Sequence, residues 1–367
     1  GGRGVRVAMI GLKGVPALHG GIERHVEELG RGLARLGHDV TVYCRKNYTP
    51  PDATVEGLTL RRLLSVNTKH LDAWTHTLLA SLDAAPRRFD VYHYHALGPA
   101  TLAFIPRALG KTVVATVHGL DWQREKWGAV ASAYLRLGEW AAARLATRTV
   151  VVSRELQRYF ARRYRRRTTY IPNAVSAPGP VDLAALEPYG LQAGRYLLTV
   201  GRLVPEKGIH LLLEAYRDVA TDLPLVVVGD DPHGRYLERL KEEADDRVRF
   251  VGYVYGPPLA AFFAGSYLYV QPSTLEGLSI ALLEAMSYGA GVLASDIPPN
   301  VEALADAGFY FPSGDVAALR ERLRDLIASP NEIKAKGDEA ARRVAELYSW
   351  EEVARRTAAV YEAALGR

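Results

Sequence analysis

The chain has 367 residues, 48% of them apolar and 24% charged, a mix that suits two globular domains and excludes a disordered or fibrous protein. A formal net charge of +5 and a pI of about 9.1 fit anionic ligands or an anionic membrane surface and give no argument for nucleic acid. The single cysteine, Cys44, excludes an internal disulfide or a Cys-x-x-Cys metal site and fits a reduced, cytoplasmic setting. No apolar run approaches the roughly 18 residues of a spanning helix, and the glycines of "GGRGVRVAMIGL" argue against a signal peptide.

"VRVAMIG" (5–11) reads as the first strand, followed by a loop with four glycines, "GLKGVPALHGG". Ile22, Val26, Leu29, Leu33 and Leu36 then recur at spacings of four and three, one apolar face of a helix that Gly37 ends. Strands follow at 39–45, 90–97, 111–120 and 148–153, with helix-like stretches between most of them. This alternation predicts a parallel sheet covered on both faces. Proline, glycine and small residues at 168–182 predict a linker. The pattern restarts with strands at 196–203, 224–231, 248–254, 267–274 and 291–296, and with helices "IHLLLEAYRDVA", "YLERLKEEA" and "SIALLEAMSYG" between them. The stretch 349–367 is one more amphipathic helix. The expectation is two doubly wound α/β units.

Five constellations are candidates for chemistry. In "STLEGLSIALLEAMSYGAGVLASD", Glu276 falls in the loop after a strand, where ligands of open α/β sheets gather. The helix that begins near Ser279 offers unpaired N–H groups to a phosphate. Glu284 lies in that helix's second turn among Leu282, Leu283, Ala285 and Met286. It either pairs with ligand hydroxyls, since an unpaired buried carboxylate costs several kcal/mol, or it points to solvent. In "TVGRLVPEKGIH", Arg202 and Lys207 sit on a strand-to-helix loop at the same sheet edge and suit an anion. In the glycine-rich loop there is no Gly-x-Gly-x-x-Gly, and the second strand ends "YCRK" without a ribose-binding acid. That argues against a dinucleotide enzyme, while Gly20 and Gly21 let a bulky ligand reach the backbone. His93 and His95 alternate on one strand with metal-ligand spacing but no evident third ligand, so no metal site is expected. His118, with Asp121 nearby, ends another strand as a hydrogen-bonding or acid–base candidate. Finally, "RRYRRR" (162–167) is a solvated helix end or a contact for anionic lipid.

"GRLVPEKGI", "LVVVGD", "RFVGYV", "YIPNAV" and the Glu276–Glu284 segment resemble, in order and spacing, the retaining glycosyltransferases of family 4. The front half, with "VHGLDWQREKWG", is similar to the rhamnosyl- and glucosyltransferase branch of bacterial surface-polysaccharide enzymes. The resemblance implies the GT-B fold: two Rossmann-like doubly wound parallel-sheet domains facing across a cleft. Residues 1–177 would form an acceptor-binding domain, 178–349 a domain for the nucleotide-sugar donor, and 350–367 a helix crossing back to the first.

It further implies that Glu276 binds sugar hydroxyls and Glu284 the ribose. Arg202 and Lys207, with the loop at Gly201 and the backbone of Gly277, Leu278 and Ser279, would neutralise the departing diphosphate. Gly20 and Gly21 would close on the diphosphate, and His118 would sit beside the sugar. "IPNA" and "EGLS" depart from the usual pattern only at backbone positions. No Asp-x-Asp occurs, so transfer without a metal or other cofactor is expected, with retention by front-side attack. The donor is a UDP-, GDP- or dTDP-sugar, and the acceptor a glycan or a polyprenyl-diphosphate-linked oligosaccharide. The enzyme would work in bacterial polysaccharide synthesis, in contact with the inner face of the membrane. A nucleotide-sugar hydrolase or epimerase, and a non-catalytic sugar-binding module, are the alternatives.

Overall fold

A computed structural model describes residues 4–18, 20–66, 68, 71–120, 129–231 and 234–367. In chain order the elements are β1 (Arg6–Ile10), α1 (Gly21–Arg35), β2 (Asp39–Arg45), β3 (Leu58–Leu63), α2 (Asp72–Ala84), β4 (Val91–His95), α3 (Leu97–Ala100), α4 (Phe104–Ala108), β5 (Thr112–Val117), α5 (Ala129–Arg144), β6 (Arg148–Val151), α6 (Arg154–Tyr164) and β7 (Thr169–Tyr170). The second half contains β8 (Leu197–Val200), α7 (Ile209–Arg217), β9 (Leu225–Val228), α8 (Arg235–Glu243), β10 (Val248–Gly252), α9 (Pro257–Gly265), β11 (Leu268–Gln271), α10 (Ile280–Ser287), β12 (Val292–Ser295), α11 (Pro298–Leu304), β13 (Phe309–Phe311), α12 (Val316–Ile327), α13 (Pro330–Leu347) and α14 (Trp350–Leu365).

Two compact units result. One comprises the chain through Ala174 together with Trp350–Arg367, and the other Val175–Ser349. The first holds a seven-stranded sheet in the order β3-β2-β1-β4-β5-β6-β7, the second a six-stranded sheet in the order β10-β9-β8-β11-β12-β13. Both are parallel throughout. Interior strands such as "LVVV" of β9 are buried along their whole length, because helices cover both faces.

In the first unit the apolar stripe of α1 (Val26, Leu29, Leu33) packs with Val353, Ala354 and Tyr361 of α14 over β1 and β2. The helices approach so closely that a Cβ on Gly32 would lie 2.6 Å from that of Ala354. In the second unit α7 and α12 bury Leu212, Leu213, Tyr216, Leu319 and Leu323 against β8 and β9. No helix among the described residues is long and apolar enough to cross a membrane.

Strand order reverses between β1 and β4 in the first sheet and between β8 and β11 in the second. At such a switch point the loops leaving adjacent strands part to opposite faces and open a crevice at the carboxyl edge. The stretch read as a linker begins inside the first sheet, since Thr169 and Tyr170 pair with Val150 and Val151 as β7.

Candidate functional site

In the second unit the switch point brings two loops together. After β8 the chain passes Gly201, Arg202 and a 3-10 turn, Pro205–Lys207, before α7. After β11 it passes residues 272–279 before α10. The loops are fastened to each other. Thr274 N–H donates to the Glu206 carbonyl at 2.9 Å. At Gly208 (φ +67) a Cβ would fall 2.1 Å from the Pro272 carbonyl oxygen, so both the backbone conformation and the space require glycine.

Glu276 is the centre of this edge. Its Oε1 accepts from Lys207 Nζ at 2.5 Å, Ser273 Oγ at 2.8 Å and Gln271 Nε2 at 3.0 Å. Gln271 is oriented in turn by Tyr269, whose hydroxyl donates to Gln271 Oε1 at 2.6 Å. Burial holds the Tyr269 phenol well above its usual range, and the Glu276 and Glu284 carboxylates push it the same way. It therefore stays a donor. Ser273 is held from behind by Ser295 Oγ, which donates to the Ser273 carbonyl at 2.5 Å, with Asn300 donating to Ser295 at 3.0 Å.

Lys207 lies along Gly201, where a Cβ would meet its Cδ at 3.6 Å. Arg202 is exposed on the same loop. Glu284 is 8% exposed, which rules out the solvent-facing alternative. Gly277 is half-buried; Leu278 and Ser279 are buried just ahead of α10, and the Ser279 hydroxyl caps the helix by accepting from Leu282 N–H at 3.3 Å. Gln271, Ser273 and Tyr269 carry no signal in the sequence beyond their place at a strand's end. Glu206, buried with its Oε2 lacking a hydrogen-bond partner, was equally hidden.

The first unit has a different edge. Gly20 (φ +103) precedes α1, and a Cβ there would meet Glu23 Oε2 at 2.0 Å. Gly21 is exposed as the helix's first residue. The loop before them is pinned by α1 carboxylates: Glu23 Oε1 accepts from Lys13 N–H at 3.0 Å and Glu27 Oε2 from Ala17 N–H at 2.6 Å.

His93 and His95 face the same way and their rings stack with centroids 4.1 Å apart. His93 is spoken for at both nitrogens, by Tyr361 OH and Thr116 Oγ1, each at 2.7 Å. His118, just past β5, brings Nε2 within 3.3 Å of His95 Nδ1. The sequence reading found no third imidazole beside the strand pair. The fold supplies His25 from α1, whose ring is 4.7 Å from that of His118. His25 occupies the slot three residues after Ile22 on the buried face, and that misplaced polarity was its signal.

Burial lowers the His25 pKa to about 4 against a hydrogen bond to Asn173 Oδ1 that raises it. It lowers His93 to about 3, with His25 adding to the effect, and holds His95 and His118 well below the usual range. All four imidazoles are neutral at pH 7. Asp121 lies outside the described residues. Arginines 162–167 divide: Arg162, Arg163, Arg165 and Arg167 are exposed, but Arg166 turns in to donate to the Ala146 and Thr147 carbonyls beyond α5.

The profile described as Glycosyltransferase Family 4 matches residues 19–177, and that described as Glycosyl transferases group 1 matches residues 190–344. The chain belongs to glycosyltransferase family 4. This transferase is 28% identical to the MMP alpha-(1->4)-mannosyltransferase of Mycolicibacterium hassiacum, over 95% of this chain and 96% of that one. Its fold superposes on sucrose-phosphate synthase of Thermosynechococcus elongatus with a TM-score of 0.86 at 22% identity, covering 98% of each chain. HepE of Anabaena, in complex with UDP and glucose, gives 0.81 at 17% identity, over 98% of this chain and 100% of that one. The transferase therefore has the GT-B fold. It is a retaining hexosyltransferase that takes its sugar from a nucleotide-sugar donor.

Proposed function

We propose that the second unit binds the donor at the β8–β11 switch point and that its two loops stabilise the departing nucleotide diphosphate. Breaking the anomeric carbon–oxygen bond sends the electron pair to a phosphate oxygen. Arg202, Lys207 and the N–H groups at Leu278 and Ser279 meet that charge, and such preorganised electrostatics is commonly the largest catalytic contribution. Glu276 accepts from sugar hydroxyls, and Glu284 takes the ribose hydroxyls in place of solvent. The acceptor oxygen bonds to the anomeric carbon on the face the phosphate leaves, and its proton passes to the departing phosphate oxygen.

The convergence of Lys207, Gln271 and Ser273 on one oxygen of Glu276 carries this reading. It fixes a cation and a carboxylate side by side before any ligand arrives. In the first unit the family resemblance gives Gly20 and Gly21 a role toward phosphate and His118 a role toward sugar, with a glycan or polyprenyl-diphosphate-linked oligosaccharide as acceptor. The mildly basic charge and the exposed arginines at the end of α6 support contact with an anionic membrane surface.

Calorimetric titration with UDP-, GDP- and dTDP-sugars tests the donor assignment. One nucleotide class should bind, and Glu284→Ala should weaken the free nucleoside diphosphate about as much as the intact donor. Unchanged affinity in both Arg202→Ala and Lys207→Ala, with unchanged turnover, would sink the proposal.

A further inference from the structure

We propose that His25, His95 and His118 form a binding site for one divalent transition-metal ion of the borderline class that includes Zn²⁺, Co²⁺ and Ni²⁺. One ring nitrogen from each residue lies within 4.8 Å of the others. His95 Nδ1 and His118 Nε2 are 3.3 Å apart. Two ligands of a tetrahedral ion with bonds of about 2.0–2.1 Å stand about 3.3 Å from each other. That pair is already at ligand spacing, and His25 contributes the third residue of the set.

The surrounding residues orient the lone pairs. His95 Nε2 faces Met9 Sδ at 3.3 Å. A thioether sulfur only accepts, so Nε2 carries the proton and Nδ1 the lone pair that faces His118. His25 Nδ1 donates to Asn173 Oδ1 at 2.8 Å, leaving the lone pair on Nε2. A histidine that gives one N–H to a fixed acceptor and offers the other nitrogen is the usual form of a metal ligand. His118 Nε2 donates a proton to His95 Nδ1 in one tautomer and carries a third lone pair in the other; an ion binds the second, in which the proton sits on Nδ1.

Imidazole nitrogens select Zn²⁺, Ni²⁺ and Co²⁺ over Mg²⁺ or Ca²⁺, which prefer oxygen. His93 is not part of the set, because Tyr361 and Thr116 occupy both its nitrogens. Three protein ligands leave one coordination position open. A bound ion engages His118, so occupancy opposes sugar transfer; this consequence rests on the role proposed for His118, whereas binding itself does not.

The test is titration of the metal-free full chain with Co²⁺, read by visible absorption. One equivalent should give the intense spectrum of four-coordinate cobalt, and Zn²⁺ should displace it. His25→Ala and His118→Ala should each abolish the spectrum while leaving the far-ultraviolet circular dichroism intact. Asn173→Ala, which removes the orienting acceptor, should weaken binding by about 10- to 100-fold. His38→Gln, outside the cluster, should change nothing. Faint six-coordinate absorption alone in the unaltered protein, or an intense spectrum that survives in both histidine variants, overturns the proposal and needs no variant to fold in the first case.

Discussion

The two units share a scaffold and differ in what they place at its carboxyl edge. At the β8–β11 switch point the polar groups are an ion pair, Lys207 with Glu276, whose carboxylate also accepts from Gln271 and Ser273. At the β1–β4 edge they are imidazoles, kept neutral by burial. The lesson is that strand order decides where a site opens, while the partners at that edge decide whether it works by charge or by lone pairs.

The sharpest way to break this contrast is to remove charge from the ionic edge. Lys207→Ala should lower kcat by about 100- to 1,000-fold, or about 3–4 kcal/mol of transition-state stabilisation, measured by release of the nucleoside diphosphate. A turnover within a few-fold of the parent protein would mean that this edge does not act through its cation.

The neutral edge belongs to a unit that buries uncharged histidines elsewhere too, and acid should expose that. His76, fully buried in α2, has its pKa lowered to about 4 by desolvation, with Arg45 adding to it. The unfolded chain takes up this proton near pH 6.5 and the folded chain only near pH 4, so stability is complete above pH 6.5 and falls as pH drops between those values. The loss approaches about 3 kcal/mol by pH 4. Urea midpoints at pH 7 and pH 5 should differ, and His76→Phe should reduce the difference.

Gly208→Ala tests whether the ionic edge depends on the joint between its loops. With φ at +67 and the Pro272 carbonyl in the way, it should cost about 2 kcal/mol in denaturant unfolding and lower turnover with it. Smallest, Tyr361→Phe removes one buried hydrogen bond to His93 and should cost about 1 kcal/mol without altering donor affinity.

The interiors of both sheets were legible because a strand buried on two faces must be an apolar run, as in "RVAMI", "TVVATV" and "LVVV". Of their edges only β10, read at 248–254, was legible. β3 reads "LTLRRL" and is only half-buried, β7 has two residues, and β13 has three. Strands so short or so exposed leave no periodic trace. Lys207 and Glu276 could be found because each stands in a distinctive local stretch. The convergence of Gln271, Ser273 and Tyr269 on Glu276 could not, since side-chain rotamers at a strand's end decide it. His25, His95 and His118 come from α1, β4 and the end of β5, and only the close approach of those elements makes them neighbours.

The helix α14 contributes Trp350, Val353, Val360 and Tyr361 to the core of the first unit, and its Arg356 donates to the Tyr170 carbonyl. That core is thus divided in sequence, with an entire second unit spelled out between its parts. A ribosome releasing the chain from its amino end delivers the second unit, ready to fold, before the last pieces of the earlier one exist. The first sheet must wait, one apolar flank uncovered, until its closing helix clears the exit tunnel.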